Sequence, residues 1–301
     1  MTRSPHPRAL LALLSLLLAA CNRTAPPPDT EYVQEVEAWR AGHEESYRRQ
    51  YVPLAGLFFL DPGENTAGSH AEADVVLPSR APLWIGRFVY TDRVITFAPA
   101  AGADVRLRGE PLSATVTLRP DGEPEPRDEL QVDDMTLWVH KSGERRAIRL
   151  RDPQGEVATS FAGFTWYAID PEYRVTARFV RDPAPRQIRV ASLSGDDQVY
   201  MTEGVLEFTL RGERLRMRPM TTRPGRLFLV FRDVTSGKDT YAAARFLYAD
   251  LEPDETAVLD FNQAYNPPCA FNPYTTCPLP LPENRLTIPI AAGELDYHGP
   301  R

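Results

Sequence analysis

Tyr173-Arg174-Val175-Thr176-Ala177-Arg178-Phe179-Val180 is the stretch on which the fold class turns. It is short, rich in β-branched and aromatic residues, and soon followed by Asp182 and Pro183, which is how a strand reads. Segments of the same kind recur on both sides: Trp84–Tyr90, Ala114–Leu118, Thr136–His140, Arg146–Leu150, Val205–Leu210, Arg214–Met217, Leu227–Arg232 and Tyr241–Ala249. Gly, Pro and Asp separate them, and no long helical pattern intervenes, which argues against alternating strand and helix units. The expected architecture is mainly β: two β-sandwich or barrel-like domains preceded by one N-terminal helix.

That helix is expected over residues 30–50. Tyr32, Val36, Trp39, His43 and Tyr47 recur at helical spacing on one face, with Glu35, Glu37, Glu44 and Arg48 elsewhere. Asp29 or Thr30 would cap it, and Pro53 lies beyond its end. An aromatic stripe of this kind reads first as core packing. The stretch Pro120–Asp128, rich in Pro and acidic residues, is the best exposed linker or long loop. A boundary there gives a β domain at 51–120 and a C-terminal β domain at 129–301.

The chain begins with Arg3 and Arg8, followed by the apolar run Ala9–Ala20, interrupted only by Ser15. That run is too short to span a bilayer and reads as a signal peptide over 1–20. Leu18-Ala19-Ala20-Cys21 matches a bacterial lipobox, so Cys21 is the expected lipidation site. Residues 21–29, with Pro26-Pro27-Pro28, form an extended tether between the lipid and the body. The expected location is the cell envelope, with the chain anchored to a membrane on its periplasmic or outer face. At 301 residues, 43% hydrophobic and 25% charged, the chain has a globular composition. A net charge of −7 speaks against nucleic acid as a partner. Cys269 and Cys277 are the two remaining cysteines, in a compartment that tolerates disulfides. A bridge between them would contribute roughly 2.5 kcal/mol in the chain-entropy model, and two buried free thiols are the alternative.

Two stretches resemble known families. Gly63-Glu64-Asn65, Gly68-Ser69, Asp74-Val75-Val76-Leu77-Pro78 and Arg108-Gly109 have the cadence of a forkhead-associated domain, a β-sandwich that reads phosphothreonine. Ser69 stands where that family wants Arg, and Arg108 replaces the Asn of its Asn-Gly turn. The resemblance therefore implies a sandwich at residues 60–109 and argues against phosphopeptide binding. The C-terminal third is more specific. Phe231-Arg232-Asp233-Val234-Thr235-Ser236-Gly237-Lys238, Thr240-Tyr241 and Arg245-Phe246-Leu247 resemble the family called domain of unknown function 1684. The likeness continues through Leu259-Asp260-Phe261-Asn262-Gln263-Ala264-Tyr265-Asn266-Pro267-Pro268-Cys269-Ala270-Phe271. It closes with Cys277-Pro278-Leu279-Pro280, Glu283-Asn284-Arg285-Leu286 and Ala292-Gly293-Glu294, and extends more loosely back to Trp39. Gln263 stands where members more often have Arg. The resemblance implies a fold and a site without naming an activity.

Asp260–Pro282, dense in Asn, Tyr and Pro, is expected to be an ordered irregular loop of the sort that builds sites on β scaffolds. Asp260, Asn262, Tyr265 and Asn266 could surround a small polar ligand, or could instead satisfy the loop's own backbone. Arg232, Asp233 and Arg245 could join them to hold an anion. Ser236, Lys238, Tyr241 and Asn284 complete the candidate set. Ser236-Gly237-Lys238 lacks the first Gly of a phosphate loop and reads as a hairpin turn. His43, His70, His140 and His298 show no metal-ligand spacing, and there is no Gly-x-Ser-x-Gly elbow. No metal or cofactor is expected. The functional expectation is an envelope lipoprotein binding a small polar ligand or an envelope protein through the C-terminal loop. A metal-independent hydrolase or transferase using Asp260 with Arg232 or Arg245 is the alternative.

Overall fold

The computed structural model describes residues 29–193, 195 and 197–300, so the leader, Cys21 and almost all of the Pro-rich tether lie outside the described residues. Helix α1 spans Thr30–Gln50, and the Asp29 side chain accepts a hydrogen bond from the Glu31 N–H at 3.1 Å to cap it. Glu44 and Arg48 pair one turn apart at 2.8 Å, beside the Gly163–Phe164 segment. The helix ends at Tyr51, whose N–H still reaches Tyr47, just before the proline that cannot continue it.

Eleven strands follow: β1 (Leu54–Phe59), β2 (Gly63–Gly68), β3 (Val75–Val76), β4 (Gly86–Thr91), β5 (Val94–Pro99), β6 (Arg106–Leu107), β7 (Glu110–Pro111), β8 (Val116–Leu118), β9 (Leu130–Val132), β10 (Met135–Ser142) and β11 (Arg145–Arg151). They form two sheets, ordered β1-β11-β10-β9-β6-β7 and β3-β2-β4-β5-β8. Phe88 and Phe97 from one sheet meet Leu130, Leu137, Ile148 and Leu150 from the other in a dry core. This is the sandwich expected from sequence. At Arg108 and Gly109 the backbone takes φ of 54° and 84°, the mirror-turn conformation that joins β6 to β7.

The boundary expected at Pro120–Asp128 is corrected by the pairing. β1 pairs antiparallel with β11 along its length, and β9 pairs with both β10 and β6, so residues 129–151 complete the first unit. Without Leu130, Val132, Leu137, Val139, Ile148 and Leu150 the first core would lose one wall. The acidic stretch is a loop stitched to that unit. Asp128 accepts from the Arg119 N–H at 2.9 Å and from Arg108 at 2.7 Å, while Asp121 accepts from Trp138 at 3.1 Å.

After a short helix α2 (Glu156–Ser160), the second unit holds β12 (Arg174–Ala191), β13 (Asp197–Leu210), β14 (Glu213–Met217), β15 (Met220–Arg223), β16 (Arg226–Phe231), β17 (Arg245–Asp250) and β18 (Thr256–Asp260). The strand expected from Tyr241 thus begins at Arg245. β12 is longer than expected, running past Pro183 and Pro185. The register shifts between Arg181 and Arg186, so the prolines sit in a bulge where no ladder donor is needed. The sheet order is β17-β16-β15-β13-β12-β18, with β14 pairing β13. The sheet curls around a core of Phe179, Phe208, Leu229, Phe231, Leu247, Leu259 and Phe261. Its two end strands, β17 and β18, are joined by the bridge between Leu251 and Ala257 next to their turn. Farther along they are not paired, and that open seam is where the candidate site lies.

Candidate functional site

α1 is tied to the open seam by its own side chains. The Tyr32 hydroxyl donates toward both carboxylate oxygens of Asp260, at 3.0 and 2.9 Å, and accepts from the Asn262 side-chain amide at 2.9 Å. One turn past Val36, Arg40 donates to the Asn262 and Tyr167 carbonyls, each at 3.1 Å. Glu44 accepts from the Phe164 N–H at 3.0 Å. These ties hold the middle of the helix, Trp39 and His43, over the seam.

The result is a cavity of about 520 Å³. Leu247, Tyr248, Ala249 and Asp250 of β17 line one wall and Val258 and Asp260 of β18 the other. Trp39, His43, Gln263 and Tyr265 close it, and Arg174, Arg226 and Glu252 supply further charge. Arg174 and Asp260 are register partners across β12 and β18, while Arg226 donates to Asp250 at 2.6 Å. The lining mixes two guanidinium groups, three carboxylates and several aromatic rings, a combination suited to a small polar ligand with an apolar face.

His43 belongs to the lining. Its ring is packed by Tyr47 at 4.2 Å, Tyr265 at 4.5 Å and Trp39 at 5.0 Å between centroids. Its side chain is 8% exposed, and burial lowers its pKa to about 4, so the ring is neutral at pH 7. The Nε2 atom is buried without a hydrogen-bond partner, and Glu294 Oε2 stands 4.0 Å from it. Glu294 is fully buried, and that burial raises its pKa to about 8 although the Asn266 backbone N–H and side-chain amide both donate to its oxygens at 3.0 Å. At neutral pH the two groups therefore face each other uncharged. Such a pair can accept or release a proton when a ligand changes their surroundings.

The sequence-derived candidates fall into three sets. Asp260 and Tyr265 line the cavity. Asp260 also carries structural bonds, accepting from the Asn262 N–H at 3.0 Å as well as from Tyr32. Asn262 and Asn266 lie just behind the lining: Asn262 holds Asp170 through both its amide atoms, and Asn266 holds Glu294.

A second set is sealed inside the fold. Arg245 donates to Asp233 at 2.9 Å with neither side chain exposed, and it also donates to the Ile290 and Ala292 carbonyls. Asp233 accepts in turn from Thr235 and from the Ile290 N–H. This cluster lies beneath the Asp260–Asn266 loop, since a Cβ on Gly293 would strike the Ala264 and Phe261 carbonyls and the Arg245 guanidinium together. The expected anion site of Arg232, Asp233 and Arg245 is thus replaced by a closed ion pair. Asn284 is likewise structural, bridging the Arg218 backbone and the Val230 carbonyl.

The third set stands apart. Arg232 pairs its backbone with Asn284 and Leu286, Ser236 and Lys238 sit on a tight turn, and Tyr241 donates to the Cys269 carbonyl at 3.4 Å. None of these four lines the cavity. Cys269 and Cys277 are free thiols, half-buried and buried respectively.

The family described as protein of unknown function DUF1684 matches residues 159–295. The chain belongs to this family. No curated protein matches it. Among solved structures it is similar to the solution NMR structure of an uncharacterized protein from gene locus rrnAC0354 of Haloarcula marismortui. The two are 33% identical over 45% of this chain and 77% of the other, with a TM-score of 0.38. The DUF1684 span supplies β12–β18, Asp260, Gln263, Tyr265, Asn266 and Glu294, whereas Trp39 and His43 come from α1, outside that span. Among the described residues, no three His, Cys, Asp or Glu side chains come together in a group able to hold a metal ion.

Trp39, His43, Arg174, Arg226 and Glu294 were not among the sequence-derived candidates. The signal for His43 was its place within the aromatic stripe, and for Glu294 its place at the end of the family motif.

Proposed function

We propose that this DUF1684 protein is an envelope lipoprotein, anchored through lipid on Cys21, whose second unit binds a small polar ligand in the cavity between α1 and the β17–β18 seam. One observation carries the ligand reading: a cavity of about 520 Å³ is lined by Asp260, Gln263 and Tyr265 of the family motif together with the His43 imidazole, whose buried Nε2 has no hydrogen-bond partner. A buried polar atom left without a partner costs on the order of 1–3 kcal/mol, and a ligand that reaches it recovers that cost. The guanidinium groups of Arg174 and Arg226 and the ring of Trp39 suit a ligand with both polar groups and an apolar face. Gln263, where the family resemblance more often puts Arg, lies in the lining and would tune the charge of the ligand accepted.

A second reading follows from His43 and Glu294. Two buried groups whose pKa values are displaced in opposite directions, His43 down to about 4 and Glu294 up to about 8, resemble an acid–base pair, which favours a metal-independent hydrolase or transferase. Arg245 is unavailable to that chemistry because it is closed against Asp233.

The anchor is tested by metabolic labelling with a palmitate analogue, which should mark the wild type and spare Cys21→Ala. The ligand reading is tested by thermal unfolding against sugars, nucleotides, phosphates and peptidoglycan fragments. A ligand at a hundred times its Kd adds roughly 2.7 kcal/mol of stability. Absence of any shift across the panel counts against the binding reading, and turnover of a ligand that does bind would move the assignment to the enzyme.

A further inference from the structure

The irregular loop after β18 carries both remaining cysteines, and it is also where the second unit grips the first. Asn272, between them in sequence, donates to the Tyr51 carbonyl at 3.0 Å and the Leu54 carbonyl at 2.8 Å, fastening the junction of α1 and β1. The same residue accepts from the Tyr274 N–H at 2.9 Å, and its carbonyl accepts from Thr275 at 3.0 Å. Cys277 is anchored through its carbonyl, which accepts from the Leu193 N–H at 3.0 Å.

The loop brings the two sulfurs within hydrogen-bonding reach of each other. Their access differs. Cys269 is half-buried and lines a cleft of about 400 Å³ between the units, with Phe59 and Arg145 from the first sandwich and Tyr274 from the loop. Cys277 is 1% exposed. The thiol of Cys269 is pushed up by its hydrogen bond to Cys277 and by burial. Burial acts in the same direction on Cys277, but the hydrogen bonds from Cys269 and Thr275, with the Arg149 charge from β11, bring it below the usual thiol range. Both belong to one packed cluster, Cys277 within it and Cys269 against it, so the open sulfur is the one an external disulfide meets first and the enclosed one stands behind it.

We propose that Cys269 and Cys277 are a dithiol–disulfide pair in which Cys269 meets an external disulfide through the cleft and Cys277 resolves the adduct, closing a ring around the Asn272 clamp. The exchange balances in two steps. Cys269 first gives up its proton, its thiolate attacks the external disulfide, that S–S bond breaks, a mixed disulfide forms, and one external thiolate leaves and takes up the released proton. Cys277 thiolate then attacks the Cys269 sulfur, the mixed disulfide breaks, and the second external thiol leaves, taking a proton from solvent. Two electrons pass from the cysteines to the external disulfide, and the internal bridge remains.

Trypsin isolates both cysteines on one peptide, Phe246–Arg285, because no Lys or Arg lies between Arg245 and Arg285. The intact, folded chain is treated with oxidised glutathione, alkylated with a maleimide, digested and weighed. The expected result is a Phe246–Arg285 peptide lighter by two hydrogens and unlabelled, returning to two labels after reduction. Cys277→Ser should instead trap a stable glutathione adduct on Cys269, and Cys269→Ser should leave Cys277 slow to react by at least tenfold. Two free thiols, or a stable adduct on each cysteine of the wild type, would overturn the proposal. Faster adduct formation in Cys269→Ser than in Cys277→Ser would overturn the order of attack. The wild-type measurement stands even if a single variant fails to fold.

Discussion

His43 Nε2 and Glu294 Oε2 stand 4.0 Å apart, buried, on elements from opposite ends of the chain. The helix that supplies His43 is fixed by Tyr32 and Arg40, and the segment that supplies Glu294 is fixed by Asn266 and by the hydrogen bond from the Glu294 N–H to the Ala264 carbonyl.

This pair sets a pH dependence of stability. Glu294 has its folded pKa raised from 4.5 to about 8, so its neutral form is favoured by folding. Its contribution is complete below about pH 4.5 and is lost as pH rises toward 8. His43 has its folded pKa lowered from 6.5 to about 4, so its contribution is complete above 6.5 and is lost as pH falls toward 4. Between pH 6.5 and 8 only Glu294 of the two is changing. Urea unfolding of the wild type, relative to Glu294→Gln, should lose stability across that window with a slope of up to about 1.4 kcal/mol per pH unit. Parallel curves for the two proteins would refute the assignment of a neutral Glu294.

Asp233 and Arg245 form the most enclosed ion pair of the fold among the described residues, with 0% exposure on both side chains. Removing one partner leaves a buried charge unpaired. Asp233→Asn or Arg245→Met should each destabilise by about 3–5 kcal/mol, while the double replacement Asp233→Leu with Arg245→Met should cost less than the sum of its parts. A full double-mutant cycle in denaturant measures this, and simple additivity would argue against the pair.

Tyr32→Phe removes the hydroxyl that satisfies Asp260 from α1. A loss of about 1–3 kcal/mol is expected. Amide exchange over residues 30–50 should accelerate with little change in β10 or β11. Equal acceleration in both regions would mean that the helix is not held locally through Tyr32.

Much of the fold was legible because its signals are local. The α1 boundaries follow from Asp29, the aromatic spacing and Pro53, and the strand cores at Thr136–His140 and Leu227–Phe231 follow from their composition. The domain boundary was not legible. Pro120–Asp128 looks like a linker in sequence, and only the pairing of β1 with β11 shows that the first unit must return to its beginning. The site was half legible. Asp260 and Tyr265 belong to a dense polar motif, but Trp39 and His43 share the helical period of Tyr32, Val36 and Tyr47, and periodicity is the same whether a face meets a core or a cavity. Burial separates Arg245 from Arg226 as well. One is closed against Asp233 and the other opens on the cavity, a distinction set by packing on the curled sheet.

The ligand site we propose is the cavity at the β17–β18 seam and not the Arg232–Lys238 hairpin. The direct measurement is the ligand-induced thermal shift in four proteins: Trp39→Ala and Gln263→Ala in the cavity, and Arg232→Ala and Lys238→Ala on the hairpin. On this proposal a ligand stabilising the wild type loses at least tenfold in affinity in the first two, about 1.4 kcal/mol or more, and binds unchanged in the second two. Retained binding in the cavity variants with loss in the hairpin variants would contradict it.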